Sequence, residues 1–170
     1  MLKVYTYCLS EILIIDKDKN TISYAYAGSV FQGMGEIEAK RNTKKITKAT
    51  IRKHIEHIGE FVVGVPILNE YAPKYLRSYD VKKGYIGEFQ GWTEMKEFFE
   101  KLYEVSKPFF EKYSSCNKWT DIIDCYVKIK RGLSDWDMNF YEKHISDEKS
   151  WFHQSAKREK TLIDLLQGVT

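Results

Sequence analysis

Little in this sequence can staple a fold or interrupt one. Cys8, Cys116 and Cys125 are the only cysteines among 170 residues, and they form no C-x-x-C pair. That excludes a disulfide scaffold and the short-spaced zinc motifs, and the expectation is free thiols in a reducing compartment. Only Pro66, Pro73 and Pro108 interrupt the chain, and no linker rich in glycine, proline or serine divides it. Internal repeats and low-complexity tracts are also missing, so one domain is expected over residues 1–170. The N-terminus MLKVYTYCLSEILIIDKDKN has no basic lead before an apolar core, and its apolar runs break at Ser10-Glu11 and Asp16. Such runs are too short for a signal peptide or a membrane span, which leads to a cytoplasmic expectation with no membrane partner.

What is present suffices for a packed core. Hydrophobic residues make up 43% and aromatics 15%, against 30% charged, so neither disorder nor a need for metal staples follows. The formal charge of +3 permits acidic partners without demanding them. Residues 1–91 hold 14 basic against 10 acidic residues, and residues 92–170 hold 13 against 14, a modest asymmetry. Abundant lysine, isoleucine and tyrosine suit an AT-rich bacterial or phage genome.

Hydrophobic spacing changes near Trp92. Leu2–Leu9 and Thr21–Ala27 alternate as strands, Glu11–Ile15 is an apolar strand, and Asp16–Asn20 is a polar hairpin link. That link imitates a calcium loop but has Thr21 where glycine is needed and Ala27 where glutamate is needed, so it reads as a turn. A helix is expected over Thr47–Ile58, a buried strand over Phe61–Leu68 and a strand over Val81–Gln90. Beyond Trp92, Met95, Phe98, Phe99, Leu102 and Val105 make a helical stripe that Pro108 should end or kink. Trp119–Val127 continues the helical period up to Gly132, and Ser134-Asp135-Trp136-Asp137 resembles a capping box. A last helix should cover Ser150–Gln167 with Trp151, Leu162, Leu165 and Leu166 inward. The fold class expected is α+β: a mostly antiparallel N-terminal sheet with one helix (1–91), then three to four packed helices (92–170).

The stretch GMGEIEAKRNTKK, Gly33–Lys45, holds three chemical suggestions. Gly28 to Gly33 has the G-x-x-x-x-G frame of a phosphate loop, but Met34 and Gly35 replace its lysine and hydroxyl residue. A strand pair with glycine at a bulge or tight turn is the simpler account. As a strand, Glu36, Glu38 and Lys40 would share one face. With Asp16 they would form a magnesium-dependent nuclease site, carboxylates holding the metal and lysine orienting water. That alternative is the only one that requires a cofactor, and charges on the wet face of an edge strand explain the same residues.

The third suggestion is the run Lys40, Arg41, Lys44, Lys45, Lys48, Arg52 and Lys53, with no acid until Glu56. On a helix, Lys44, Lys48 and Arg52 would form a stripe that neutralises phosphates, or equally a solvated face. Tyr71 and Tyr75, with Lys74 and Arg77, suit stacking on unpaired bases or plain packing. His54 and His57, and His144 and His153 near Asp147 and Glu148, lack a converging ligand set for zinc. No serine sits in a G-x-S-x-G elbow. With the catalytic motifs failing, the expected function is a non-enzymatic binding protein, an inhibitor or regulatory module. Its partner is a nucleic acid or an acidic protein, met through Lys40–Lys53, Tyr71 and Tyr75, without cofactor. A Glu-x-Lys nuclease is the alternative.

Overall fold

A computed structural model describes residues 1–8, 10–58 and 84–169, which form two compact units, Met1–Glu100 and Lys101–Thr170. In the first unit, β1 (Leu2–Cys8), β2 (Glu11–Asp16) and β3 (Thr21–Tyr26) form an antiparallel meander. The two-residue β4 (Lys44–Lys45) pairs with β3, and β5 (Tyr85–Phe89) pairs with β1. The sheet order is β4-β3-β2-β1-β5, all neighbours antiparallel. The β2–β3 link is a turn, as expected. Asp16 Oδ1 accepts from the amides of Asp18 and Lys19, and Asn20 takes φ 53°.

β2 explains why the meander holds. Ile12, Leu13, Ile14 and Ile15 are all fully buried, so both faces of the central strand are covered. Tyr5, Leu13 and Tyr24 lie in register across three strands. With Tyr7, Ile15 and Ile22 they pack against Ile51 of α3 (Lys48–Ile58). Burying one large aliphatic side chain contributes roughly 1.5–3 kcal/mol, so this row is a main source of the unit's stability.

Two short helices, α1 (Ala27–Phe31) and α2 (Gly35–Lys40), follow β3 and pack against it. This corrects the expectation of strands here, and of a single helix in the N-terminal part. The helical form is favoured because Gly35 and Ala39, four apart, are both buried, while Glu36 and Lys40 form an i, i+4 ion pair at 3.7 Å. Gly33, at φ 80°, ends α1: its amide donates to Val30 O (3.0 Å) and the Met34 amide to Ser29 O (2.8 Å). That pair of bonds is a helix terminator needing a left-handed residue, which is why a glycine stands here. Of the G-x-x-x-x-G frame, Gly28 therefore lies within α1 and Gly33 makes the helix–helix turn.

α4 (Trp92–Lys112) runs through Pro108. Of the two expected outcomes, an end or a kink, the end does not occur. Proline removes one amide donor, while the adjoining Phe109 and Phe110 are buried and hold the helical face in place.

In the second unit, α5 (Lys118–Lys130), α6 (Asp135–Ser146) and α7 (His153–Leu166) follow, closed by a 3₁₀ turn at Gln167–Val169. α7 packs on both α5 and α6. The capping box is present. Ser134 Oγ accepts from the Asp137 amide (3.2 Å), and Asp137 Oδ2 accepts from Ser134 N (2.8 Å). Burial works against the Asp137 carboxylate, but the Ser134 hydrogen bonds and the Arg131 guanidinium (3.2 Å) outweigh it and hold its pKa below the usual range. Trp151 is not inward. It precedes α7, is 83% exposed and lies on Phe152 at 4.0 Å. The phase of Leu162 and Leu166 carries only as far back as His153, where the helix starts.

The expected strand over Phe61–Leu68 lies outside the described residues. Among those described, no helix is long and apolar enough to cross a membrane.

Candidate functional site

The basic run divides between several elements, which gives it a shape that no single helical stripe would have. Lys40 ends α2, Arg41 and Asn42 follow it, Lys44 and Lys45 are β4, and Lys48, Arg52 and Lys53 belong to α3. Lys44 is thus not on the helix with Lys48 and Arg52, because its backbone pairs with Ile22 of β3.

Asn42 fixes this geometry. Its Oδ1 accepts from the Tyr24 amide at 2.8 Å, and its Nδ2 donates to the Tyr24 and Glu38 carbonyls at 2.8 and 3.2 Å. The side chain thereby imitates a strand partner and extends the β3–β4 pairing by one step. Thr43 Oγ1 donates to Ala39 O (2.7 Å), closing the last turn of α2. α3 is then started by a reciprocal threonine cap. The Thr50 amide donates to Thr47 Oγ1 (3.2 Å), the Thr47 amide to Thr50 Oγ1 (2.9 Å), and Thr50 Oγ1 itself to Lys45 O (2.7 Å).

These constraints enclose a cavity of about 520 Å³, lined by Tyr7, Tyr24, Arg41, Asn42, Lys44, Ala49, Thr50, Lys53 and His54. Tyr7 and Tyr24 are stacked, 5.2 Å between centroids and 20° between planes. Buried His54 meets both rings edge-on, and its Nδ1 lies 2.9 Å from the Tyr7 hydroxyl. Among the described residues, three cations reach the lining and no carboxylate does. None of the ion pairs among the described residues involves Arg41, Lys44 or Lys53. A cavity of this size with cationic side chains and an aromatic wall suits an anionic group attached to a flat apolar one.

Of the sequence-derived candidates, Arg41, Lys44 and Lys53 come together here. Lys40 pairs instead with Glu36, and Lys45 and Lys48 are exposed outside the cavity lining. Tyr71 and Tyr75 lie outside the described residues. Tyr7, Tyr24, Asn42 and His54 were not anticipated as lining. The available signal was the shared strand parity of Tyr5, Leu13 and Tyr24, which puts aromatic rings from two strands on the face under the basic helix.

The Glu-x-Lys arrangement loses the face it needed. On α2, Glu36 and Lys40 lie together and Glu38 is turned about 200° from Glu36 around the axis. Glu38 Oε1 accepts from the Tyr26 amide at 3.1 Å, and the Asp16 carboxylate is engaged in its own turn. Among the described residues no group of three His, Cys, Asp or Glu side chains is placed to hold a metal ion. His144 and His153 are engaged locally: His144 Nδ1 with Ser150 Oγ (3.0 Å) and His153 Nδ1 with the His144 carbonyl (3.0 Å).

The second unit has its own cavity, about 220 Å³, lined by Cys116, Asp121, Asp124, Cys125, Arg158 and Glu159 among others. Cys116 and Cys125 are free thiols, and burial pushes both upward in pKa, Cys125 strongly. Asp124 is exposed as a residue, but its carboxyl lines this cavity and is pushed up to about 6. Desolvation is the first cause, with Asp121 and Glu159 adding to it and Lys128 opposing. An acid whose folded pKa is raised contributes stability below its unfolded value, about 3.9, and loses it as pH rises through about 6. Asp124→Asn should therefore flatten the decline between about pH 4 and 6 and stabilise the protein at neutral pH by about 1 kcal/mol after discounting for solvent screening. Urea unfolding of both proteins across that range checks it; an unchanged pH slope would locate the titration elsewhere.

Compared with protein-family models, curated proteins and solved structures, the chain matches none.

Proposed function

We propose that this chain is a non-enzymatic binding protein, a regulatory or inhibitory module, that takes up nucleic acid through its Lys40–Lys53 segment. One observation carries the reading: Arg41, Lys44 and Lys53, from three successive parts of the chain, reach one cavity that has an aromatic wall and, among the described residues, no carboxylate. Phosphate is the anion that a nucleic acid offers repeatedly, and aromatic surface distinguishes such a site from a general acidic-protein contact. Free thiols at Cys116 and Cys125 support a reducing setting such as the cytoplasm.

Labelled DNA and RNA, single- and double-stranded, titrated at low and physiological salt without metal, test this. Binding should weaken steeply with salt. Changing Arg41, Lys44 and Lys53 together to glutamine should cost at least about tenfold in affinity and lower the salt slope by about one for each phosphate no longer neutralised. No binding of any nucleic acid at low salt overturns the reading and turns attention to an acidic protein partner. Cleavage on adding magnesium, abolished by Glu38→Ala, would replace it with the nuclease.

A further inference from the structure

We infer that the cavity between β1, β3, β4 and α3 receives one unpaired nucleotide, its base laid on Tyr24 and its phosphate held by Arg41, Lys44 and Lys53. The inference rests on the nucleic-acid reading and narrows it to a chemical form. A base within a duplex has both faces covered by its neighbours in the stack, so a tyrosine ring at the wall of a cavity cannot reach it. An unpaired base offers a free face, and stacking on an aromatic side chain is its strongest sequence-independent contact.

The wall is built for this before any ligand arrives. Tyr24 is half-buried and lines the cavity. Its backbone amide and carbonyl are both held by Asn42, and its ring is backed by Tyr7, which His54 fixes through the phenol hydroxyl. A ring held on these sides loses little freedom when a base covers it. The cations come from elements other than the strand that carries the ring, namely β4, the segment after α2 and α3, so base and phosphate would be met by different side chains. About 520 Å³ lies within the range of sites that enclose a single small molecule.

The uncharged polar side chains Asn42 and Thr50, which could otherwise read a base edge, are already engaged, and the cations are assigned to the phosphate. Both ends of the Asn42 amide are bonded to backbone, and the Thr50 hydroxyl is bonded to Thr47 and Lys45. The site therefore accepts a base by its face, with little discrimination by its hydrogen-bonding edge. A strand and a free nucleoside monophosphate share this chemistry.

The test compares four ligands on the full chain at one salt concentration: a single-stranded oligonucleotide, its duplex, an abasic strand of equal length, and a nucleoside monophosphate. The expected result is single strand tighter than both duplex and abasic strand by about tenfold, with Tyr24→Leu bringing the single strand down to the abasic level. Weak monophosphate binding beside a tight strand identifies the strand as the source. Comparable affinities identify the free nucleotide, and both outcomes support the stacked base. Equal affinity for single, duplex and abasic forms overturns the inference while the phosphate reading stands, and no binding by any of the four overturns both. The abasic comparison uses the unaltered protein, so it decides even where Tyr24→Leu disturbs folding.

Discussion

Leu13→Ala should lower the unfolding free energy by about 3 kcal/mol, within the span measured for aliphatic side chains truncated in closed cores. Leu13 is fully buried on β2, the middle strand of the sheet, with Tyr5 opposite on β1 and Tyr24 opposite on β3. Truncation removes transfer energy and leaves a void that the two tyrosines, anchored by strand pairing, cannot fill by collapsing. Tyr24 also belongs to the stacked pair at the cavity, so under the proposed function nucleic-acid affinity should fall together with stability. Urea unfolding followed by circular dichroism should show a lower midpoint with an unchanged slope. A loss below about 1 kcal/mol would mean that the row tolerates a gap and is not the centre of the unit.

Gly35→Ala should destabilise by about 2 kcal/mol, against what helix propensity suggests. Alanine is favoured over glycine in a helix interior by about 1 kcal/mol, and less at a first turn such as this. A β-carbon at Gly35 would stand 2.6 Å from Val30 Cγ2, 3.0 Å from Val30 Cα and 3.1 Å from Trp92 Cζ3. The second of these is backbone, so relief requires α1 and α2 to separate, and the clash outweighs the propensity gain. Thermal unfolding of the variant beside Gly91→Ala, where an added β-carbon meets nothing within 4 Å, isolates the steric term. Equal melting temperatures for the two variants would sink the explanation.

How much of this was legible in the sequence depends on segment length and on what each segment needed to know. Strands β1 and β3 follow from alternation, β2 from its apolar run, and α5 to α7 from apolar spacing and the Ser134 cap, because each is long enough to show its pattern. Six residues, Gly35–Lys40, are too few. Glu36, Glu38 and Lys40 satisfy a strand pattern, while Gly35 with Ala39 and Glu36 with Lys40 satisfy a helical one, and packing against β3 decides. As a stop signal, Pro108 was overruled, with buried Phe109 and Phe110 beside it in the continuing helix. At the site, the cations could be read from composition. The aromatic wall could not, since pairing Tyr7 with Tyr24 requires the register of three strands and the clamp that Asn42 places on β3.

The two-residue strand β4 has a consequence for how this protein behaves in crowded solution. Outermost among the described strands, it has a free edge there to which another chain could add, and it is protected by being very short and by consisting of Lys44 and Lys45 alone. One of those lysines also lines the cavity. Under the proposed function, the Lys44 charge would serve ligand capture as well as discourage edge-to-edge aggregation. Apolar replacements there would remove affinity and invite assembly at once, whereas glutamine, short of charge but still hydrated, keeps the edge poor in hydrophobic surface.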